Sequence, residues 1–171
     1  MIRQTLAALV ISLLVATIGA GASAASSPSG LIALYHGRQI PLSSVARYQC
    51  HDALDSRILC FDSAQARDAS FRSVVGLTDA ILTPSSVSYV EFFADINYGG
   101  SSFIAADPIP DLRAIGWNDR ISSFRSENAG HPKWWMDINY VGTAWQWTAG
   151  SSVAYVGNGA NDQFSSVQNV P

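Results

Sequence analysis

The chain has 171 residues, with ten basic and thirteen acidic side chains and a formal charge of −3. Its few cations are scattered and Lys133 is the only lysine, so it lacks the clustered basic footprint of a nucleic-acid binder. Beyond the N-terminal stretch, no segment is long and apolar enough to span a membrane.

That first stretch reads as a secretory signal peptide. Met1-Ile2-Arg3 supplies a positive start, Leu6 to Ile18 an apolar run, and Ala22-Ser23-Ala24 a small-residue cleavage site. The uninterrupted apolar part is shorter than the roughly 20 residues of a spanning helix. Cleavage after Ala24 is expected, with an extracellular protein of about 147 residues as the product, the size of one ordinary domain or two small ones. Both cysteines, Cys50 and Cys60, fall in the exported part, where a disulfide is the default state. A redox or metal pair is the competing reading, but no third sulfur or paired histidine stands near them in sequence.

Residues 25–30 form a Ser/Pro/Gly spacer. Leu31 to Tyr35 reads as a strand, His36-Gly37 as a tight turn and Arg38 to Ile40 as the returning strand. Ala46 to Cys50 and Arg57 to Phe61 make a second pair bridged by the disulfide. Asp62 or Ser63 then caps a helix over Ala64 to Val75, whose inward face is expected to be Ala66, Phe71, Val74 and Val75, with Gly76 as the stop. Residues 31–84 therefore read as a small ββββα unit, ending in the connector Leu77 to Ser88. From about residue 85 to 171 glycines and aromatics dominate and helical periodicity disappears, which points to an all-β sandwich or barrel.

That second unit is internally duplicated. Asp95-Ile96-Asn97-Tyr98-Gly99-Gly100 is echoed by Asp137-Ile138-Asn139-Tyr140-Val141-Gly142, about 42 residues on, and Asn118-Asp119-Arg120-Ile121-Ser122-Ser123 by Asn161-Asp162-Gln163-Phe164-Ser165-Ser166, about 43 residues on. Two matches in one order at nearly one offset indicate a repeated structural unit, spanning about 88–127 and 131–171. Phe93, Tyr98 and Gly100 are matched by Trp135, Tyr140 and Gly142, a spacing that suits a hairpin with aromatics packed over its turn. Phe103 aligns with Trp145, so both are expected to face the shared core. Trp134 and Trp147, opposite the smaller Phe92 and Ala105, are the rings to test for exposure.

The spacing of an aromatic, four residues, an aromatic, one residue and glycine, followed by Asn-Asp-x-x-Ser-Ser, resembles the βγ-crystallins, and in particular their microbial calcium-binding members. The resemblance covers about 85 residues and leaves out Leu31 to Ser88. It implies a double Greek-key sandwich in which the two motifs share two calcium ions. Carried onto this chain, Ser122, the Arg120 carbonyl and Asp162 would serve one ion, while Ser165, the Gln163 carbonyl and Asp119 would serve the other. Asn118 and Asn161 would be turn-formers, and carbonyls after Tyr98 and Tyr140 would complete the shells. The chemistry fits: calcium takes six to eight oxygens from carboxylate, hydroxyl, carbonyl and water. One carboxylate per ion suggests weak extracellular affinity, on the order of 10⁻⁵ to 10⁻³ M. The competing view is that both hexapeptides are Ser/Asn-rich turns without metal. An EF-hand is excluded because Ala106 and Thr148 stand where its bidentate glutamate is needed.

Signs of catalysis are sparse. No zinc-protease, nucleophile-elbow or phosphate-loop motif is present, and His36, His51 and His131 are isolated near expected turns. Asp107 and Asp111 flank Pro108-Ile109-Pro110 and could mimic a glycosidase pair, although an acidic, proline-stiffened loop explains them as well. The expectation is a secreted, non-enzymatic calcium-binding protein, with an extracellular protein or carbohydrate as a further partner. The alternative is a secreted protease inhibitor or killer-toxin-like protein of similar fold. For inhibition, Asp107 to Asp111 is the one candidate loop, and both cysteines precede the duplicated unit instead of bracing that loop.

Overall fold

The computed structural model describes residues 30–76, 87–127 and 130–170. The expected signal peptide, nearly all of the spacer and residues 77–86 of the connector lie outside the described residues. Among the described residues, no helix is long and apolar enough to cross a membrane.

The N-terminal unit has the expected ββββα order. Strands β1 (Ile32–Tyr35) and β2 (Arg38–Ile40) form a hairpin around His36-Gly37, and β3 (Gln49–Asp52) pairs antiparallel with β4 (Arg57–Phe61). Cys50 and Cys60 are opposite one another in that register and form the disulfide. The β3 strand starts later than expected because Pro41 leads into a 3-10 turn over Leu42–Arg47, which buries Val45 and Ala46. Helix α1 (Ala64–Val74) begins at Ser63, whose hydroxyl accepts from the Ala66 N–H at 3.2 Å. Asp62 instead accepts from Tyr35 and pairs with His36 at 2.9 Å. The inward face differs from expectation: Arg67 and Phe71 are buried, whereas Ala66 and Val74 are exposed.

In the duplicated unit, β5 (Tyr89–Asp95), β6 (Gly99–Ala105) and β7 (Ser123–Glu127) belong to the first copy. Strands β8 (His131–Trp135), β9 (Ala144–Gln146), β10 (Ser152–Val153) and β11 (Ser166–Val170) belong to the second. Each copy lends its third element to the other. Strand β10 crosses to pair with β7, and Ile109 bridges to Val167 in β11, with both backbone bonds made at 2.9 and 3.0 Å. The outcome is a double Greek key with exchanged third strands. Its interior is aromatic: Phe92, Phe103, Trp117, Phe124, Trp134 and Phe164 are all at most 1% exposed, and alternation along β5 sends Val90 and Phe92 to this core.

The two units share one sheet. Strand β3 adds in parallel to the outer edge of β6, with Cys50 opposite Phe103, so that eight strands run in the order β10-β7-β5-β6-β3-β4-β1-β2. A three-stranded sheet, β11-β8-β9, closes the opposite side of the core. Helix α1 covers the other face of the long sheet: Phe71 packs against His51 and Tyr89, and Arg67 reaches across to Ser102 on β6 and Glu91 on β5. A guanidinium is tolerated at 1% exposure because it meets the carboxylates of Glu91 and Asp68 as well as the Ser102 hydroxyl. Burial pushes the Glu91 carboxyl above its ordinary pKa, against the pull of Arg67.

Arg67→Met is expected to cost about 3–5 kcal/mol, because it leaves the largely buried Glu91 with only the more distant Arg125, at 3.9 Å. The double variant Arg67→Met/Glu91→Gln should recover much of that loss. Urea unfolding at neutral pH measures both; a single-variant loss below about 1 kcal/mol would show that the network contributes little.

Candidate metal centre

Each copy opens with a hairpin bent back on itself. After β5 and after β8 the chain turns through Asn97 and Tyr98 (φ 57° and 63°) and through Asn139 and Tyr140 (φ 58° and 61°), in the left-handed region that disfavours side-chain-bearing residues. Two contacts hold the turn. Rings stack edge to face, Phe93 on Tyr98 at 5.6 Å and Trp135 on Tyr140 at 5.2 Å. The sixth residue of each hexapeptide supplies the second contact. Ser123 Oγ donates to the Asp95 carbonyl at 2.6 Å and accepts from the Tyr98 N–H at 3.0 Å; Ser166 Oγ does the same with Asp137 at 2.7 Å and Tyr140 at 3.1 Å. Gly142 is obligatory, with φ 79° and no room for a Cβ beside the Asp137 carboxylate.

The hexapeptides are laced to one another. The Asp119 N–H donates to the Phe164 carbonyl at 3.1 Å, and the Asp162 N–H donates to the Ile121 carbonyl at 3.3 Å. The Ser122 carbonyl accepts from Val156 at 3.0 Å, and the Ser165 carbonyl from Leu112 at 2.9 Å. Both Asp119 and Asp162 sit at φ 54°. Every bond in one copy thus has its counterpart in the other.

This lacing brings each acid to the neighbouring motif. An open depression is lined by Asp95, Ile96 and Asn97 of the first turn together with Ser122, Asn161, Asp162 and Tyr155. Asp119 is correspondingly bonded into the Gln163–Ser165 segment through its amide. The carbonyls of Arg120 and Gln163 accept no hydrogen bond among the described residues, although the carbonyls immediately after them all do. Asn118 and Asn161 occupy the turns, and each donates its side-chain N–H to the adjacent carboxylate at 2.6 Å. Their Oδ1 atoms are buried and accept nothing among the described residues.

The donor set is therefore mostly neutral oxygen. No group of three or more His, Cys, Asp or Glu side chains is gathered for a metal among the described residues. Partial burial, and then the nearby Asp162, raises the Asp119 pKa above the ordinary aspartate value. A cation between the motifs would relieve that repulsion, and the unpaired carbonyls and amide oxygens fit a hard, oxygen-seeking ion.

Several side chains lie elsewhere than the sequence suggested. His51 is in strand β3 and fully buried, with Nδ1 against its neighbour's carbonyl at 2.6 Å and Nε2 against Ser70 at 2.9 Å; burial lowers its pKa. Trp134 is fully buried, whereas Trp145 is 36% exposed on an edge strand. Trp147 takes the inward place, packing on Phe124 at 4.9 Å. The repeat alignment put Trp145 opposite Phe103, but β9 is only three residues long and exposed throughout, so the ring that closes the core comes two residues later. Of the two acids flanking the proline-stiffened loop, Asp111 pairs with Arg113 at 2.9 Å, and Ile109 between Asp107 and Asp111 is pinned to β11. The serines at the sixth position were legible as part of the pattern, but their role as hairpin latches was not.

Ser123→Ala and Ser166→Ala should each destabilise the fold by about 1–3 kcal/mol, since each removes two hydrogen bonds, one to a half-buried tyrosine amide and one to an aspartate carbonyl. Thermal unfolding checks this, and near-equal losses would report the two-fold pseudosymmetry.

No protein-family model and no curated protein matches the chain. Solved structures do. A double mutant of a βγ-crystallin domain from Clostridium beijerinckii is 34% identical, with 47% of this chain and 93% of that domain covered and a TM-score of 0.43. An archaeal βγ-crystallin is 25% identical, covering 50% and 100% (TM-score 0.45), and one from Ciona intestinalis is 26% identical, covering 47% and 98% (TM-score 0.41). The identity over nearly the whole clostridial domain, joined to two complete copies of the hairpin and hexapeptide motifs, makes this chain a member of the βγ-crystallin family through its duplicated unit.

Proposed function

We propose that the protein is a secreted, non-enzymatic calcium binder whose two ions sit between the Greek-key motifs and stabilise them. The observation that carries this reading is the reciprocal lacing of the hexapeptides, which leaves the third-position carbonyls unpaired beside the neighbouring motif's acid. One ion would be held by Ser122, the Arg120 carbonyl and Asp162, with the turn after β5. The other would be held by Ser165, the Gln163 carbonyl and Asp119, with the turn after β8. The unpartnered amide oxygens of Asn118 and Asn161 add donors that the residue pattern alone assigned to turn formation. Calcium supplies positive charge that joins the two halves, and water would fill the remaining positions.

Calorimetric titration of the mature chain should show two sites, with dissociation constants on the order of 10⁻⁵ to 10⁻³ M. Ions that bind only the folded state should stabilise it by about 2.7 kcal/mol per site at a hundredfold excess over the dissociation constant. Asp119→Ala should damage chiefly the site around Ser165, and Asp162→Ala the site around Ser122. Absence of heat together with an unchanged melting temperature would overturn the metal reading. Affinity should weaken as pH falls toward the carboxylate range, starting higher than for an ordinary aspartate, because protons compete for a carboxylate whose pKa is raised.

A further inference from the structure

Where the N-terminal unit meets the double Greek key, the turn between β3 and β4 faces the loop after β6 across a cavity of about 340 Å³. Its walls are largely apolar, with Leu31, Leu54, Ile58, Phe103, Pro108 and Ile109 contributing. Asp52, at the end of β3, is set in these walls together with Asp107 and Asp111. One of its oxygens accepts from the N–H groups of Ala106 and Asp107 at 2.7 and 3.0 Å. Its other oxygen, Oδ1, is buried and accepts nothing among the described residues. Burial pushes this carboxyl up to about 7.

The charges around the cavity do not balance. Arg57, on the wall, is held in a two-point contact by Asp55 at 2.8 and 3.0 Å, and Arg113 is held by Asp111. Asp52 and Asp107 are left without an ion-pair partner among the described residues. At the rim, Leu54 is held at φ 60° with 44% of its surface exposed, so a large apolar side chain is presented to an incoming molecule. The volume lies within the range of small-molecule sites, about 300–1,000 Å³. It suits one ring or short chain better than a folded partner.

We propose that this cavity binds a small primary amine with an apolar body, its ammonium group donating to the Asp52 carboxylate and its hydrocarbon part lying against Leu31, Leu54 and Ile109. An apolar body alone would leave the Asp52 carboxylate without a counter-charge, whereas an ammonium group supplies one and neutralises a charge that burial otherwise disfavours. The site is separate from the calcium reading and does not depend on it.

Phenethylamine and its neutral counterpart 2-phenylethanol, titrated into the full mature chain at neutral pH, test this by backbone amide NMR. Phenethylamine should shift the Ala106 and Asp107 amides saturably, and bind at least about tenfold more tightly than the alcohol. Asp52→Asn should weaken the amine at least about tenfold while leaving the alcohol almost unchanged. Ala114→Phe, at an exposed position on the cavity wall, should block both probes without touching Asp52, and so covers the case in which the Asp52 variant fails to fold. No saturable shift with phenethylamine, equal affinity for amine and alcohol, or unchanged binding by either folded variant would overturn the proposal.

Discussion

Everything in the duplicated unit depends on an exchange of backbone hydrogen bonds between its halves. Ser122 closes its carbonyl onto Val156 of the second copy, and Ser165 closes its own onto Leu112 of the first. The third elements are traded likewise, β10 to β7 and Ile109 to β11. Polar backbone groups inside a sandwich must find partners or cost free energy. Neither copy can therefore be satisfied alone, and the aromatic core between the sheets becomes the shared product of both.

The same exchange builds the candidate metal centre. Asp119 and Asp162 reach their positions because their amides are tied to the other hexapeptide, and the turns at Asn97 and Asn139 are held open by latching serines below them. Strain in those turns, with two consecutive residues at positive φ in each, costs of order 1–3 kcal/mol per residue and persists because rings and hydroxyls over-determine it. A folded-state ion that draws on both halves would add to an interface the backbone has already specified.

The N-terminal unit completes this sandwich in a particular way. An exposed strand edge at β6 is a template for unwanted pairing, and β3 occupies it in parallel register. Parallel pairing needs a covered face, which α1 provides with Phe71 and the buried Arg67. The seam between the two units is where the acid-bearing cavity forms, with the end of β3 tied to the loop after β6 through Asp52.

Much was legible from residues alone. The duplication, the aromatic hairpins, the disulfide and the β class follow from local patterns, because turn chemistry and spacing are short-range properties. Other features were decided only in three dimensions. Helical periodicity named Val74 as an inward residue, but the sheet beneath α1 offers acceptors at Glu91 and Ser102, so Arg67 went in and Val74 stayed exposed. The repeat alignment named Trp145 as a core ring, but an edge strand of three residues left it on the surface, while Trp134 on the central strand β8 is fully buried and Trp147 packs half-buried against the core. The sequence by itself determined which oxygen-bearing turns exist and that there are two of them. Their reciprocal pairing, the fusion of both units into one sheet and the isolated carboxyl of Asp52 were settled by tertiary structure, because each depends on contacts between residues distant along the chain.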